Sequence, residues 1–307
     1  MLGSMTAGPA LVFAEERLTW RARLKASLTG RYPDPRPLSF LRAGGAEGGL
    51  WALLAGGEVA GWTDRGRGLK YVSNQDGLFI GERPATPERP ATLWLAVCDG
   101  VGGHASGEWA SGAVLGHLAR AFAAGDMLEP AARIAPDALH ELYAGQPVET
   151  RAADMATTIV GAEIVGNSLV AVHAGDSSLL VVRRGKIVHR TNEHTLAQTL
   201  ADLGRIDPSD VPYHPDRNLL TRSVMLDAQG QPIRIELETR RLVLERGDLV
   251  LLFSDGYELY LAAELAKLAS ALARPARIVR ELRRRLFGWV TNERNDDNAT
   301  LIAYRHR

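Results

Sequence analysis

Five aspartates hold the same kind of place in this sequence. Asp76 lies in SNQDGLFI, Asp99 ends the apolar run of AVCDGVGGH, Asp176 lies in VHAGDSS, Asp255 ends LVLLFSDG and Asp297 opens NDDNATLIAY. Each stands where a β-type run begins or ends. A strand end fixes a side chain at the edge of a sheet, and carboxylates gathered there form a set of hard oxygen ligands suited to magnesium or manganese. Any single Asp-Gly after a strand reads equally well as turn punctuation. The glycines after Asp99 also let a backbone carbonyl and a ligand come close. Asp99 and Asp255 share an apolar-(Ser/Cys)-Asp-Gly context, and recurrence at five strand edges favours one shared metal site over five unrelated turns.

Other chemistries find little support. Cys98 is the only cysteine, which excludes an internal disulfide or a cysteine metal cluster, and its apolar neighbours mark it as a small buried hydrophobe. The eight histidines form no HExxH or similar spacing. NERNDDN at 292–298 lacks the spacing and closing glutamate of a calcium loop, and no GxxxxGK[ST] phosphate loop is present. Lys plus Arg equals Asp plus Glu at 36 each, so no global field recruits nucleic acid or an anionic membrane. The basic run RPARIVRELRRR at 274–285 reads as a solvated helical surface, with docking of an anionic partner as the alternative. No apolar stretch approaches the roughly 18 residues of a membrane span. The first ten residues lack the basic start and apolar core of a secretory signal. The expectation is a cytoplasmic monomer with no membrane span and no nucleic-acid partner.

The acids need elements to hold them. A chain of 307 residues with 46% hydrophobic and 23% charged residues has enough apolar content for a substantial globular core. RYPDPRP at 31–37 and the glycine-rich stretch at 44–49 place a boundary near residue 45, with an N-terminal extension over 1–45 and the main domain over 46–307. Strands are predicted at 50–54, 59–63, 77–80 and 93–98. A helix follows from Ser106 to about Ala124, with Trp109, Ala113, Leu115, Leu118 and Phe122 as its apolar face. Short β-type runs fill 157–190, split by Gly166-Asn167, Gly175-Asp176 and Gly185, the first and last gaps being hairpin turns. Next come a helix over 194–204, an irregular loop over 207–215, strands over 233–239 and 249–253, a helical region over about 259–287 and a final strand over 299–304. Strands in antiparallel pairs with helices grouped outside them predict an α+β layered domain rather than a doubly wound parallel sheet.

The ordered series NQD, DGVGGHASGEWAS, ATTIV, VHAGDS, HPDRNLLTRS, FSDG and DDNAT, from about Asp64 to Tyr304, resembles the bacterial branch of the metal-dependent type 2C serine/threonine protein phosphatases. That resemblance implies a four-layer αββα sandwich, two antiparallel sheets flanked by helices, and makes 46–307 the catalytic domain. It implies a binuclear manganese or magnesium centre, with a possible third ion, that activates water to hydrolyse phosphoserine and phosphothreonine. Two cations sharing a water lower its pKa from roughly 16 toward neutrality and offset charge on the phosphoryl oxygens.

Carried over by position, Asp99 resembles the bridging carboxylate, with the Gly100 carbonyl on one cation. Asp255 and Asp297 resemble further ligands of the first cation, and Asp76 resembles the acid that holds water on the second. Asp176 with Asp255 resembles the third-metal pair, and 194–222 resembles the flap beside the cleft. The implied partner is a phosphorylated protein, a Ser/Thr kinase or its targets. Tyr71 stands where many members have a phosphate-gripping arginine, with Lys70 and Arg67 as nearby substitutes. Gln75 replaces a frequent glutamate, and Val101 replaces the eukaryotic histidine acid, to which His104 is not equivalent. Ala156 and Ser178 depart more mildly from GTT and GDSR. The loss of the arginine keeps open an alternative, a phosphatase fold that binds a phosphoprotein or kinase without turnover.

Overall fold

The glycine spacing between residues 157 and 190 predicts hairpins, and the backbone makes them. In this computed structural model Ile159–Val165 and Ser168–Ala174 pair antiparallel through a two-residue turn whose first residue, Gly166, has φ 57°, as a type II′ turn requires. Ser178–Arg183 and Lys186–Arg190 pair across Arg184 and Gly185, both at positive φ (50° and 79°), as in a type I′ turn. The middle gap, Gly175-Asp176, is no hairpin. It carries the chain from one sheet to the other.

The structure describes residues 38–42, 48–54, 56–66, 73–101, 106–148, 154–257, 275–278, 280–281 and 297–307. In chain order the strands are β1 (Leu38–Arg42), β2 (Gly48–Leu54), β3 (Gly57–Asp64), β4 (Asp76–Arg83), β5 (Thr92–Val101), β6 (Ala156–Thr157), β7 (Ile159–Val165), β8 (Ser168–Ala174), β9 (Ser178–Arg183), β10 (Lys186–Arg190), β11 (Val224–Met225), β12 (Glu238–Val243), β13 (Leu249–Phe253) and β14 (Ala299–His306). The helices are α1 (Ser106–Ala124), α2 (Leu128–Arg133), α3 (Ala135–Ala144) and α4 (Leu196–Asp202). The first sheet runs β1-β4-β5-β7-β8-β12, with β6 and β11 continuing past the end of β5; the second runs β10-β9-β13-β14-β3-β2. Every strand pairing among the described residues is antiparallel.

Strand alternation sets the layers, because successive side chains point to opposite faces. In β5, Leu93, Leu95 and Val97 face the core between the sheets while Trp94, Ala96 and Cys98 lie under the helices. In β13, Val250 and Leu252 face the same inner core, and Leu249, Leu251 and Phe253 point outward to a third cluster. Helix α1 packs Ala110, Val114, Leu115, Leu118 and Phe122 on the first sheet. Ile278, in the helical residues 275–278, is buried against the outer face of the second. The fold is therefore α+β, two antiparallel sheets with helices outside them.

Three expectations need correction. Trp109 is 45% exposed, because the buried stripe of α1 follows 107, 110, 111, 114, 115, 118, 121 and 122 and residue 109 falls off it. The strand expected at 233–239 lies at 238–243: Ile235 and Leu237 bury their side chains in the helix-side cluster without a ladder, whereas the more polar Glu238–Val243 pairs with β8. Leu38–Arg42, on the N-terminal side of the boundary expected near 45, pairs along β4 and is the edge strand of the first sheet. The helical region expected at 259–287 lies mostly outside the described residues.

Candidate metal centre

The strand ends bring all five aspartates to one end of the sandwich. Asp76 opens β4 and pairs directly across the ladder with Asp99 of β5. Asp176 lies in the crossover from β8 to β9, Asp255 opens a short 3-10 turn after β13, and Asp297 lies two residues before β14. Phe253 at the end of β13 pairs with Ser178 on one side and Leu301 on the other, so the last three acids leave adjacent strands at one level. The carboxyl of Asp99 feels the charges of Asp76, Asp255, Asp176 and Asp297. Asp76 is fully buried, while the other four retain partial exposure, which leaves the cluster open on one side.

Neighbouring hydroxyls and amides lock these positions. The Asp99 N–H donates to Thr158 Oγ1 (2.9 Å), and its carbonyl accepts from Thr157 Oγ1 and the Thr158 N–H (both 2.8 Å). Thr158 Oγ1 also meets Ser177 Oγ at 2.8 Å, which ties Asp99 to the Asp176 crossover. Ser254 Oγ donates to Asp76 Oδ2 at 2.6 Å. Asn298 Oδ1 accepts from the Gln75 N–H at 2.7 Å, so the turn before Asp76 is pinned to the residue after Asp297. In the sequence Thr157, Thr158, Ser254 and Asn298 stand inside ATT, FSDG and DDNAT. Their polar residues beside buried apolar strands were the available signal for this scaffold.

Gly100 is required by close approach. A Cβ there would collide with the Gly107 carbonyl at the start of α1 and lie 2.8 Å from the Gln75 carbonyl, both rigid backbone. Gly100→Ala should therefore lower unfolding stability by about 2–3 kcal/mol, measured by denaturant titration. An unchanged transition would refute the tight contact between the Asp99 strand end and α1.

The electrostatics suit a cation. Burial, opposed by the Ser254 and Thr300 hydroxyls and reinforced by the charges of Asp255 and Asp297, pushes Asp76 up to about 7. Burial and neighbouring acids push Asp99 and Asp176 well above the usual carboxylate range. Asp76 Oδ1 is buried with no hydrogen-bond partner among the described residues. An all-oxygen donor set that repels itself and keeps an orphaned carboxylate oxygen fits hard divalent ions. Cys98 beside it is buried, and burial followed by the Asp76 charge pushes its thiol up, away from nucleophilic character.

A second group was not legible in the sequence. His173, His194 and Glu238 come within 4.8 Å of one another because Glu238 pairs across the ladder with His173, and the two rings stack at 4.5 Å. The Gly175 N–H donates to His194 Nδ1 (3.2 Å), which puts the ring proton on Nε2, facing Glu238 Oε2 at 3.2 Å, with Arg222 Nη1 3.4 Å away. A nitrogen with a committed proton beside a guanidinium is a poor ligand. The group instead acts as a latch: His194 also donates its N–H to the Gly175 carbonyl, and its own carbonyl accepts from Thr221, where residues 195–222 rejoin. A separate cavity of about 270 Å³, lined by Trp51, Glu58, Ala276, Arg277 and Arg280, contains none of the five aspartates. The substrate-phosphate candidates Arg67, Lys70 and Tyr71, together with His104, lie outside the described residues.

Fold and cluster define the class: a two-sheet α+β sandwich with five acids gathered at one end. Within it, the chain belongs to the protein phosphatase 2C family, whose sequence profile matches residues 72–291. The serine/threonine protein phosphatase PstP of Mycobacterium tuberculosis is 32% identical over 240 residues, covering 77% of this chain and 43% of that protein. The chain thus spans less than half the length of that relative. The serine/threonine phosphatase Stp1 of Staphylococcus aureus superimposes with a TM-score of 0.69 at 27% identity, over 83% of this chain and 97% of that one. The catalytic domain of PstP in complex with two manganese ions superimposes with a TM-score of 0.57 at 29% identity, over 87% and 99% of the two chains.

Proposed function

We propose that this protein is a metal-dependent phosphatase that hydrolyses phosphoserine and phosphothreonine in a protein substrate. One observation carries the reading: Asp99 sits under the combined charge of four other acids while its backbone is locked on both sides by Thr157 and Thr158. In this reading Asp99, with the Gly100 carbonyl, would be shared between two manganese or magnesium ions; Asp255 and Asp297 would help hold the first, Asp76 would serve the second, and Asp176 with Asp255 would hold a third, weaker one. Such ions, when bound, supply an acidified water and offset charge on the phosphoryl oxygens. The chain's own part is to gather the acids and fix them in place, with the ions favouring their ionised form, and to align the phosphate, a task we assign to Lys70, Tyr71 or Arg67 from their sequence positions. The substrate is a Ser/Thr kinase or its targets, met by a cytoplasmic monomer. No helix among the described residues is long and apolar enough to cross a membrane. We also place the catalytic domain from residue 37 onward, with 1–36 as its extension, since β1 pairs with β4 and contacts cluster from Pro37 to Arg307.

The test is phosphate release from a phosphothreonine peptide with manganese, with magnesium and with excess chelator. Turnover with either metal and none in chelator is expected. Full activity in chelator overturns the metal mechanism, and tight peptide binding without turnover would favour the non-catalytic alternative.

A further inference from the structure

The Asp76 carboxylate is treated unevenly by its surroundings. Oδ2 takes a 2.6 Å hydrogen bond from Ser254, whereas Oδ1 is buried and no donor among the described residues meets it in hydrogen-bonding geometry, the nearby Thr300 hydroxyl being engaged with Thr63 Oγ1 at 2.7 Å. Ser254 has no freedom in this matter. Its Oγ accepts the Thr300 N–H at 2.9 Å, and its own N–H donates to the Thr300 carbonyl at 3.0 Å, which fixes the residue between β13 and β14. With one lone pair committed to Thr300, the single hydroxyl proton is available for donation, and Asp76 Oδ2 is its acceptor. The distance falls in the range of a hydroxyl donating to an ionised carboxylate.

The contact also crosses the sandwich. Asp76 belongs to the first sheet and Ser254 to the end of the second, and Ser254 is covalently next to Asp255. One hydroxyl therefore ties Asp76 of the first sheet to the backbone that carries Asp255 from the second.

We infer that Ser254 is a positioning residue that holds Asp76 by Oδ2 and reserves Oδ1 as the oxygen available to a divalent ion. This rests on the metal-centre reading given above and adds to it a residue whose hydroxyl bonds Asp76 and the Thr300 backbone. A merely structural serine would fill space and satisfy Thr300. A positioning serine makes the same bond to Thr300 but changes manganese affinity through Asp76, and the two roles differ in a measurable way.

Manganese binding is measured without substrate, by the electron paramagnetic resonance signal of the free ion, on the full chain. Ser254→Ala should weaken binding about ten-fold or more, the scale of a hydrogen bond to a charged group. Ser254→Cys, close in volume but a weaker donor, should fall between wild type and alanine, and it carries the test if the alanine variant does not melt cooperatively in chelator. The deciding measurement is the double variant. In an Asp76→Asn background, Ser254→Ala should cause little further loss of affinity, because the carboxylate through which it acts is gone. Wild-type affinity in Ser254→Ala, or an undiminished additional loss in the Asp76→Asn background, overturns the proposal. Asp99→Asn separates the levels. If Asp99→Asn loses manganese while Ser254→Ala binds like wild type, only the role of Ser254 falls. If Asp99→Asn itself binds like wild type, the metal-centre reading falls and the role of Ser254 with it.

Discussion

Asp99→Asn should reduce phosphate release by at least about a thousand-fold, the scale expected when a bridging metal ligand is removed, and should also raise the melting temperature of the metal-free protein. The two effects have one origin. Asp99 is half-buried at the end of β5, directly across from Asp76, and burial together with Asp76, Asp255, Asp176 and Asp297 makes its ionised form costly. Asparagine keeps the shape and one carbonyl oxygen, and the backbone bonds to Thr157 and Thr158 do not involve the side chain. Removing the charge thus relieves repulsion without disturbing the scaffold, while it removes the carboxylate proposed to bridge two ions. Steady-state phosphate release with manganese and thermal melting in chelator check the two halves separately. A near-wild-type rate would show that Asp99 is not the bridge. A lower melting temperature with lost activity would mean that the side chain is structural.

The acids were legible because each follows or precedes a strongly apolar run, and a strand end is a local pattern. The two hairpins were legible for the same reason, since Gly166 and Gly185 mark turns by their own backbone freedom. Contacts that depend on which strands pair were not. His173 and Glu238 stand 65 residues apart and meet only because β12 pairs with β8. The alternation of Ile233, Ile235 and Leu237 imitates a ladder, whereas the ladder forms on the polar side of residue 237 at a sheet edge. The bulky apolar side chain of Trp109 suggests burial, but the phase of α1 is set by the stripe Ala110, Val114, Leu115, Leu118 and Phe122 that packs on the first sheet, and residue 109 falls outside it. The support of Asp76 by Ser254 was hidden in FSDG, where serine looks like turn chemistry until β14 supplies the Thr300 backbone that orients its proton.

The stabilisation conferred by manganese should grow steeply as the pH rises from about 5 to about 8. In the metal-free folded chain Asp76 is pushed up to about 7 from the 3.8 of an ordinary aspartate, and Asp99 and Asp176 are pushed in the same direction. Between the unfolded and folded values the folded protein binds more protons than the unfolded chain. Its stability from these groups is therefore full at low pH and is lost as the pH rises through the folded values. A bound cation removes that penalty by favouring the ionised form, and at low pH it must first displace protons. The difference in unfolding free energy between manganese-saturated and metal-free protein should thus increase by up to about 1.4 kcal/mol per pH unit for each proton displaced. Histidines act in the opposite sense: burial, with the neighbouring His194, pushes His173 down to about 3, so the metal-free protein also loses stability as the pH falls below about 6.5. Because His173 lies outside the proposed ligand set, its contribution is present with and without metal and cancels in the difference. Chemical denaturation at a series of pH values, in manganese and in chelator, gives that difference directly. A pH-independent metal effect would mean that the acids at the strand ends are already ionised in the empty site, and that their charges are offset by something other than a cation.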